Sequence, residues 1–208
     1  MIDNVLKIIA NEVNKYIVRK LDPDRDPSST KRIATGNVTK VQESDSSGSR
    51  TDSIAAPGIL TLVNMEEERD SKPNNFVRVN DKIEYRNPKI NLSLYCLFSV
   101  NHTSYDTSLQ YLSLIVQFFQ YKSVIDHKNT PPENGLALDH KINKLIIDMI
   151  SMNSEQVNHL WATLGGKYLP SVLYKVRMLT IEDDTPGLQV DAIRQMSVIS
   201  HDINNYEE

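Results

Sequence analysis

Residues 89–100 (KINLSLYCLFSV) first alternate between polar and apolar side chains and then become wholly apolar. A strand that is apolar on both faces is buried on both faces, as central strands are. This segment therefore predicts the central strand of a sheet. The rest of the chain then has to supply flanking strands and a covering layer of helices or further strands.

Helices are predicted where apolar residues recur at helical spacing. The predicted helices cover about residues 2–20, about residues 104–122 and a short stretch that begins near Asn153 and ends at Gly165-Gly166. The first stops at two Asp-Pro pairs, because the residue before a proline disfavours helical geometry. Asn153 and Gln156 have the spacing of a capping box at the start of the third.

Several further segments have the alternation of strands and could flank the central one. They cover about residues 33–41 at an edge, 59–67, a hairpin within 76–85 around Asn80-Asp81, 141–152 and 168–182. Hairpins join antiparallel neighbours. We therefore expect an α+β fold: a mixed, mainly antiparallel sheet flanked by two or three helices.

Two stretches differ in composition from the rest. Residues 42–53 (QESDSSGSRTDS) carry serine and charges of both signs without a large apolar side chain, which predicts a mobile loop. Residues 186–208 start with a Pro-Gly turn and then alternate apolar with polar side chains, which is a strand signal. We expect one domain over residues 1–185, containing that loop, and a strand-like tail over 186–208.

The charge balance excludes some classes of function. The 208 residues carry 23 Lys and Arg against 27 Asp and Glu, a formal net charge of -4. A dedicated nucleic-acid binder usually shows a basic patch, so no nucleic-acid partner is expected. No run of about 18 apolar residues occurs, so no direct membrane insertion is expected. The single cysteine, Cys96, predicts an inert buried thiol and suits assembly in a reducing cytoplasm.

The sequence contains none of the common nucleotide-binding, hydrolase or metal motifs, and its five histidines are scattered. In the acidic run Glu66-Glu67-Glu68, only Glu66 and Glu68 would share a face of a strand. Arg69 follows and offsets the charge, so a solvated or partner-facing strand end fits better than a metal site. We expect no catalytic residue, no metal ligand and no cofactor.

Four segments together resemble one family. They are LTLVNMEEERD (60–70), NLSLYCLFSV (91–100), LQYLSLIVQFFQ (109–120) and LWATLGGKYLPSVLYKVRML (160–179). They resemble the cap proteins of extracellular contractile injection systems, typified by the antifeeding prophage and the Photorhabdus virulence cassette. The last segment is the most specific, because its Trp-x-x-Leu-Gly-Gly-x-Tyr-x-Pro-Ser run leads into Tyr-Lys-Val-Arg. The resemblance covers about residues 1–180.

The resemblance implies structural work and a tail-terminator-like fold, without an active site. Such caps form a six-fold ring on the end of the inner tube and halt the growth of tube and sheath. The implied partners are further copies of this chain in a homo-hexamer, the inner tube protein, the sheath protein and, as a further candidate, the tape-measure protein. Two alternatives stay open: an adaptor that links the distal end to a membrane or to a second cap protein, and an unrecognised small hydrolase.

Candidate contact residues follow from the implied ring. Mixed charges near strand ends would set the register with neighbouring subunits, and they are Glu66, Glu67, Glu68, Arg69, Lys167, Lys175 and Arg177. In the tail, Leu188 and Val190 belong to a strand that we expect to pair with the sheath protein or a neighbouring cap. Pairing of this strand with its own sheet is the alternative. We also expect Trp161 to pack between its short helix and the sheet.

Overall fold

The computed structural model describes residues 1–39, 56–68, 76–79, 82–85, 90–133, 135–165, 167–181 and 189–191. Three helices have described bounds, and they are α1 (Ile2–Leu21), α2 (Tyr105–Tyr121) and α3 (Ser154–Thr163). The same part of the chain holds nine strands, which are β1 (Ile33–Thr35), β2 (Gly58–Glu67), β3 (Phe76–Val79), β4 (Lys82–Tyr85), β5 (Ile90–Val100), β6 (Val124–Asp126), β7 (Lys144–Ile150), β8 (Ser171–Ile181) and β9 (Gln189–Asp191). The serine-rich stretch 42–53 lies outside the described residues.

Six strands form one sheet in the order β1-β2-β5-β8-β7-β6. β1 runs parallel to β2, and every other neighbouring pair is antiparallel. β5 lies inside the sheet and pairs along nearly its whole length with β2 on one edge and β8 on the other. The predicted central strand and the predicted fold class, a mixed and mainly antiparallel sheet with helices, are confirmed.

The chain divides into two compact units, Met1–Asp70 with Ile90–Ile181, and Ser71–Lys89 with Glu182–Glu208. The first unit contains the six-stranded sheet. The second contains a three-stranded sheet in the order β3-β4-β9. β3 and β4 pair antiparallel, with Val79 opposite Lys82, so the predicted hairpin is confirmed.

α1 and α2 cover one face of the six-stranded sheet and form the main core with it. The buried residues of α1 recur at helical spacing and include Val5, Ile9, Val13 and Ile17. α2 contributes Ile115, Phe118 and Phe119. The ring of Phe119 lies 4.4 Å from that of Tyr174 on β8 and 5.5 Å from that of Phe98 on β5, which joins the helix to two central strands. None of the described helices combines the length and apolar character that a membrane crossing requires.

Side-chain caps begin two of the helices. The Ser104 hydroxyl accepts a hydrogen bond from the Thr107 amide at the start of α2. At the start of α3, the amide of Gln156 donates to Asn153 Oδ1, and the amide of Asn153 donates to Gln156 Oε1, so the predicted capping box is confirmed. α3 ends at Thr163, and Gly165 follows with a φ of 65°, a conformation that favours glycine.

The predicted edge strand over 33–41 is shorter than expected. β1 ends at Thr35, and the carbonyl of the next residue, Gly36, accepts a side-chain hydrogen bond from Thr61. Asn14 of α1 holds the segment before β1. Its amide donates to the carbonyl of Thr30 at 2.9 Å, and its Oδ1 accepts from the amide of Arg32 at 2.6 Å. A buried asparagine thus satisfies backbone groups that no strand pairs.

Candidate functional site

The second face of the six-stranded sheet is covered by α3 over one part, where Trp161 packs with Leu97 and Leu173. Trp161 is 5% exposed, so the prediction that its indole packs between α3 and the sheet is confirmed. Beyond this cluster, alternation along the strands places polar side chains on the same face. Those with described contacts are Asn64, Glu66, Glu68, Tyr95, Asp148, Lys175 and Arg177, and we call them the polar stripe.

Tyr95 and Glu66 form the first contact of the polar stripe. The Tyr95 hydroxyl donates to Glu66 Oε2 at 2.7 Å, and Asn64 Nδ2 donates to Glu66 Oε1 at 3.3 Å. The hydrogen bond to Glu66 raises the pKa of Tyr95, because loss of the phenolic proton would place a second negative charge beside the carboxylate. Tyr95 therefore remains a hydrogen-bond donor at neutral pH.

Two ion pairs continue the polar stripe. Lys175 Nζ lies 3.7 Å from Glu68 Oε1 and 5.9 Å from the centroid of the Tyr95 ring. Arg177 pairs with Asp148 of β7, and this hydrogen-bonded pair raises the pKa of Arg177. The polar stripe thus crosses β2, β5, β8 and β7, with acidic groups at both ends and basic groups between them.

The outer ion pair of the polar stripe, Arg177 with Asp148, adds little to the stability of the fold. The side chains of Arg177 and Asp148 are 41% and 48% exposed, and exposed ion pairs contribute only about 0–1 kcal/mol each. A fixed pattern of exposed charges discriminates between partner surfaces more than it raises affinity. The arrangement is therefore better suited to recognising another protein surface than to holding this sheet together.

The structure brings four of the predicted contact residues together in the polar stripe: Glu66, Glu68, Lys175 and Arg177. Register explains the grouping, because Glu66 pairs with Ser93 across β2 and β5, and Ser93 pairs with Arg177 across β5 and β8. The sequence suggested the first two as neighbours through alternation along one strand. It gave no signal that the two basic residues lie beside them.

The other predicted contact residues lie elsewhere or outside the described part. Glu67 is exposed and pairs with Leu92 in the β2–β5 register, so alternation places it on the opposite face from the polar stripe. Lys167 is exposed in the segment between α3 and β8. Val190 lies in β9 of the second unit. Arg69 and Leu188 lie outside the described residues.

Sequence reasoning missed three members of the polar stripe: Asn64, Tyr95 and Asp148. Each is a polar residue within a strand that was itself predicted, at a position where alternation faces it away from the core. Asp148 interrupts the apolar residues that follow Lys144 in KLIIDMI, which is the one signal that could have marked it. Assigning it to Arg177 requires the pairing of β7 with β8, where Asp148 lies opposite Lys175.

A metal site requires ligating side chains at a suitable spacing. Within the described residues, no group of three or more His, Cys, Asp and Glu side chains could hold a metal ion. Cys96 is fully buried, and burial raises the pKa of its thiol to about 12. The predicted burial of this thiol is confirmed, and its lack of reactivity stays a prediction.

A cavity of about 670 Å³ lies between α1, the end of α2 and residues 129–133. Four of its charged lining residues, Glu12, Lys15, Lys122 and Glu133, are paired with one another. Lys122 Nζ donates to Glu12, to the carbonyl of Asn129 and to the hydroxyl of Thr130, at 2.8, 2.9 and 2.9 Å. These hydrogen bonds hold α1, the end of α2 and the loop of residues 129–133 together. These four charged groups of the cavity therefore have a structural role.

A family model described as the Pvc16 N-terminal domain matches residues 4–194. The chain belongs to the Pvc16 N-terminal domain family. The family resemblance predicted from the four segments is thereby confirmed, and the match extends past residue 180 into β9. No curated protein is similar enough in sequence to count as a match.

Two solved structures are similar to this member of the Pvc16 N-terminal domain family. One is the sheath/tube terminator, in its extended state, of the extracellular contractile injection system PVC, with 13% identity and a TM-score of 0.52, covering 98% of this chain and 65% of that one. The other is the tube-terminating cap of the anti-feeding prophage, with 13% identity and a TM-score of 0.44, covering 70% of this chain and 49% of that one. The first likeness confirms the terminator-like fold, and the second is too weak to carry an argument. The chain thus spans less than two thirds of the length of either protein.

Proposed function

We propose that this chain is a structural cap that closes the distal end of a contractile injection particle. In this proposal it forms a six-membered ring on the inner tube and ends the growth of tube and sheath. The observation that carries the proposal is the fold: 98% of the chain aligns with a sheath/tube terminator, within a family whose model matches residues 4–194. Its partners are then further copies of itself, the inner tube protein and the sheath protein, with the tape-measure protein as a further candidate.

The terminating role has a physical basis. A tube grows because each newly added ring exposes the same binding surface as the ring before it, and the next ring binds to that surface. A terminator has to match the final ring on one face and offer a different surface on the other. A closed ring of subunits in head-to-tail contact meets this requirement, because it uses up the lateral surfaces and leaves two distinct faces.

We assign the contact with the end of the particle to the polar stripe. Its partly exposed pairs, Glu68 with Lys175 and Asp148 with Arg177, give a pattern of charge that one partner surface can match. A subunit in the wrong register would place like charges against each other, which disfavours binding. The proposed contact residues Glu66, Glu68, Lys175 and Arg177 act here as a group.

The proposal is tested in a strain that lacks the gene and is complemented with variants. Without the chain, we expect tubes of variable length or sheaths that contract early. The Lys175→Glu/Arg177→Glu variant should fold but fail to restore particles of uniform length, because it reverses the basic half of the polar stripe. Lys7→Glu is the matched control, since Lys7 is an exposed charge on α1, away from that sheet face.

Three results would count against the proposal. Particles of normal number, length and extended state without the gene would exclude the terminating role. Full rescue by the polar-stripe variant would leave the role and exclude the assigned contact. Recovery of the chain in the membrane fraction without tube or sheath would favour the adaptor alternative.

A further inference from the structure

The cavity of about 670 Å³ between α1, the end of α2 and residues 129–133 has one charged wall residue that its neighbours do not neutralise. We call it the α1–α2 cavity. The charged residues that line it are Glu12, Lys15, Arg19, Lys122 and Glu133. Four of them pair with one another, whereas Arg19 is exposed and makes no ion pair with any described residue.

The carboxylates of the cavity wall are already engaged by lysines. Glu12 Oε1 accepts a hydrogen bond from Lys15 at 2.9 Å, and its Oε2 accepts one from Lys122 at 2.8 Å. The carboxylate of Glu133 also pairs with Lys15. With its two contacts to the loop, Lys122 uses all three of its N–H donors. A ligand in the cavity therefore meets carboxylates that are already neutralised, and Arg19 is the charge that it can bind.

The position of Arg19 at the end of α1 does not by itself explain the cavity around it. A basic side chain near a helix C-terminus is favoured by the helix dipole, and Lys20 beside it meets the same preference. Asp22, which follows α1, is paired with Arg32. Neither the helix end nor a nearby acid accounts for a guanidinium group on the wall of a cavity.

Three aromatic side chains complete the wall: Tyr16, Phe118 and Tyr121. The rings of Tyr16 and Phe118 pack with their centroids 5.6 Å apart. Tyr121 is 83% exposed, so the ring borders the cavity on its solvent side. Tyrosine and arginine are enriched among the residues that contribute most to protein–protein binding. Arg19 and Tyr121 on one wall have that composition.

We infer that the α1–α2 cavity binds a carboxylate side chain of a partner protein, with Arg19 as its charged anchor. A guanidinium group presents its N–H donors in a planar fork that fits the two oxygens of a carboxylate. Three basic and two acidic side chains line the cavity, an excess of one positive charge on a chain with a net charge of -4. This local excess favours an acidic ligand.

The aromatic rings specify the rest of the ligand. A carboxylate alone would leave the rings of Tyr16 and Tyr121 in contact with water, whereas an aromatic or large aliphatic neighbour in the same segment would cover them. The expected ligand is thus a short segment with Asp or Glu beside such a side chain. The inference does not depend on the proposed cap function, because the cavity shares no residue with the polar stripe.

Peptide binding to the purified chain tests the inference. The probe is a short fluorescein-labelled peptide with one phenylalanine between glutamates, and its control has glutamine in place of each glutamate. Fluorescence anisotropy should show binding that is weaker by about tenfold or more for the glutamine peptide, as expected when hydrogen bonds to a charged group are lost. Arg19→Gln should weaken binding of the glutamate peptide by a similar factor.

The matched control is Arg25→Gln, because Arg25 is also exposed but does not line the cavity, and it should leave binding unchanged. Arg19→Lys should restore only part of the affinity, since an ammonium group lacks the planar fork. Tyr121→Ala should weaken binding of the phenylalanine-containing peptide. Melting temperatures of all variants should equal that of the natural chain, because both Arg19 and Tyr121 are exposed.

Three results would overturn the inference. The first is no binding of the glutamate peptide, and the second is equal binding of the two peptides. The third is unchanged binding after Arg19→Gln. Inorganic phosphate distinguishes a partner segment from a free anion. Phosphate should displace the peptide only at a concentration far above the Kd of the peptide, because the rings contribute to peptide binding alone. Displacement at a concentration near that Kd would show that the cavity takes a free anion, and a partner segment would then be the wrong ligand.

Discussion

The ammonium group of Lys122 lies 2.8 Å from the carboxylate of Glu12, which ties the end of α2 to the middle of α1. Both side chains are 14% exposed. We expect Lys122→Met to lower the free energy of unfolding by about 2 kcal/mol, the usual contribution of hydrogen bonds to a charged group. Urea denaturation measures it. The control, Lys7→Met, removes the exposed pair with Asp3 and should cost at most about 0.5 kcal/mol.

The same cluster predicts how stability depends on pH. Burial alone would raise the pKa of Glu12, but hydrogen bonds from Lys122 and Lys15 outweigh it and hold the pKa below its ordinary value of 4.5. Because the folded pKa is the lower one, this contribution is fully present above about pH 4.5 and is lost as the pH falls through the folded value. Glu12→Gln should therefore lose stability at pH 7 and show a flatter decline in acid. An acid limb identical to that of the natural chain would contradict this.

Lys15 predicts how stability falls at alkaline pH. Burial would lower its pKa, but hydrogen bonds to Glu12 and Glu133 raise it above its ordinary value of 10.5. Its contribution is thus fully present below that value and is lost as the pH rises further. We expect Lys15→Met to remove part of the alkaline decline in melting temperature. A variant that keeps the full decline would show that other groups cause it.

Trp161 is the largest side chain between α3 and the sheet. Trp161→Ala should cost on the order of 3–5 kcal/mol, as truncation of other buried aromatics does. The indole Nε1 is buried and has no hydrogen-bond partner among the described residues, so Trp161→Phe forfeits packing alone and should cost less than about 2 kcal/mol. Calorimetric melting of the two variants compares these costs. An unchanged melting temperature for Trp161→Ala would be incompatible with the observed packing.

The state of Cys96 is also testable. Its thiol has a pKa of about 12 because it is buried among core side chains, so it should not react with iodoacetamide at pH 8. In denaturant it should react fully, and the rate in partial denaturant should follow global unfolding. Rapid modification of the native chain would show that β5 opens locally.

The elements that could be predicted from the sequence are those with a strong local signal. α1 has regular apolar spacing, β5 has an unbroken apolar run and α3 begins with a capping box. β6 (Val124–Asp126) was missed, because three residues are too few to show alternation and its pairing with β7 is a tertiary contact. The presence of a strand can be predicted from a short stretch of sequence, whereas the order of the strands in the sheet depends on tertiary contacts.

The candidate site shows the same limit. Alternation alone placed Glu66 and Glu68 on one face of a strand. Their neighbours depend on the register between strands, and a bulge between Leu62 and Asn64 shifts that register. No local pattern in the sequence revealed this shift. The ion pair of Glu68 with Lys175 could therefore be found only in three dimensions.

For the tail, the sequence prediction of a docking strand can be compared with the pairing of β9 in the structure. β9 pairs antiparallel with β4, with Val190 opposite Ile83, so residues 189–191 lie on a sheet of their own chain. For these three residues the structure therefore shows the alternative given above, in which the tail strand pairs with a sheet of its own chain. Among the described strands β9 is the outer one of its sheet, and an outer strand edge can add a strand from another chain. Leu188 and residues 192–199 lie outside the described residues, and their pairing with the sheath protein or a neighbouring cap stays a prediction.

Truncation after Asp184 tests the role of the tail. The chain should fold, because α1, α2 and the six-stranded sheet contain none of the removed residues. It should also be lost from sheathed particles during washing, since the strand that we propose to pair with the sheath or a neighbouring cap is gone. A chain that lacks only residues 200–208 is the control and should be retained. Misfolding of the shorter chain would assign the tail to the core, and stable capping by it would exclude the docking role. Circular dichroism and particle micrographs together distinguish these outcomes.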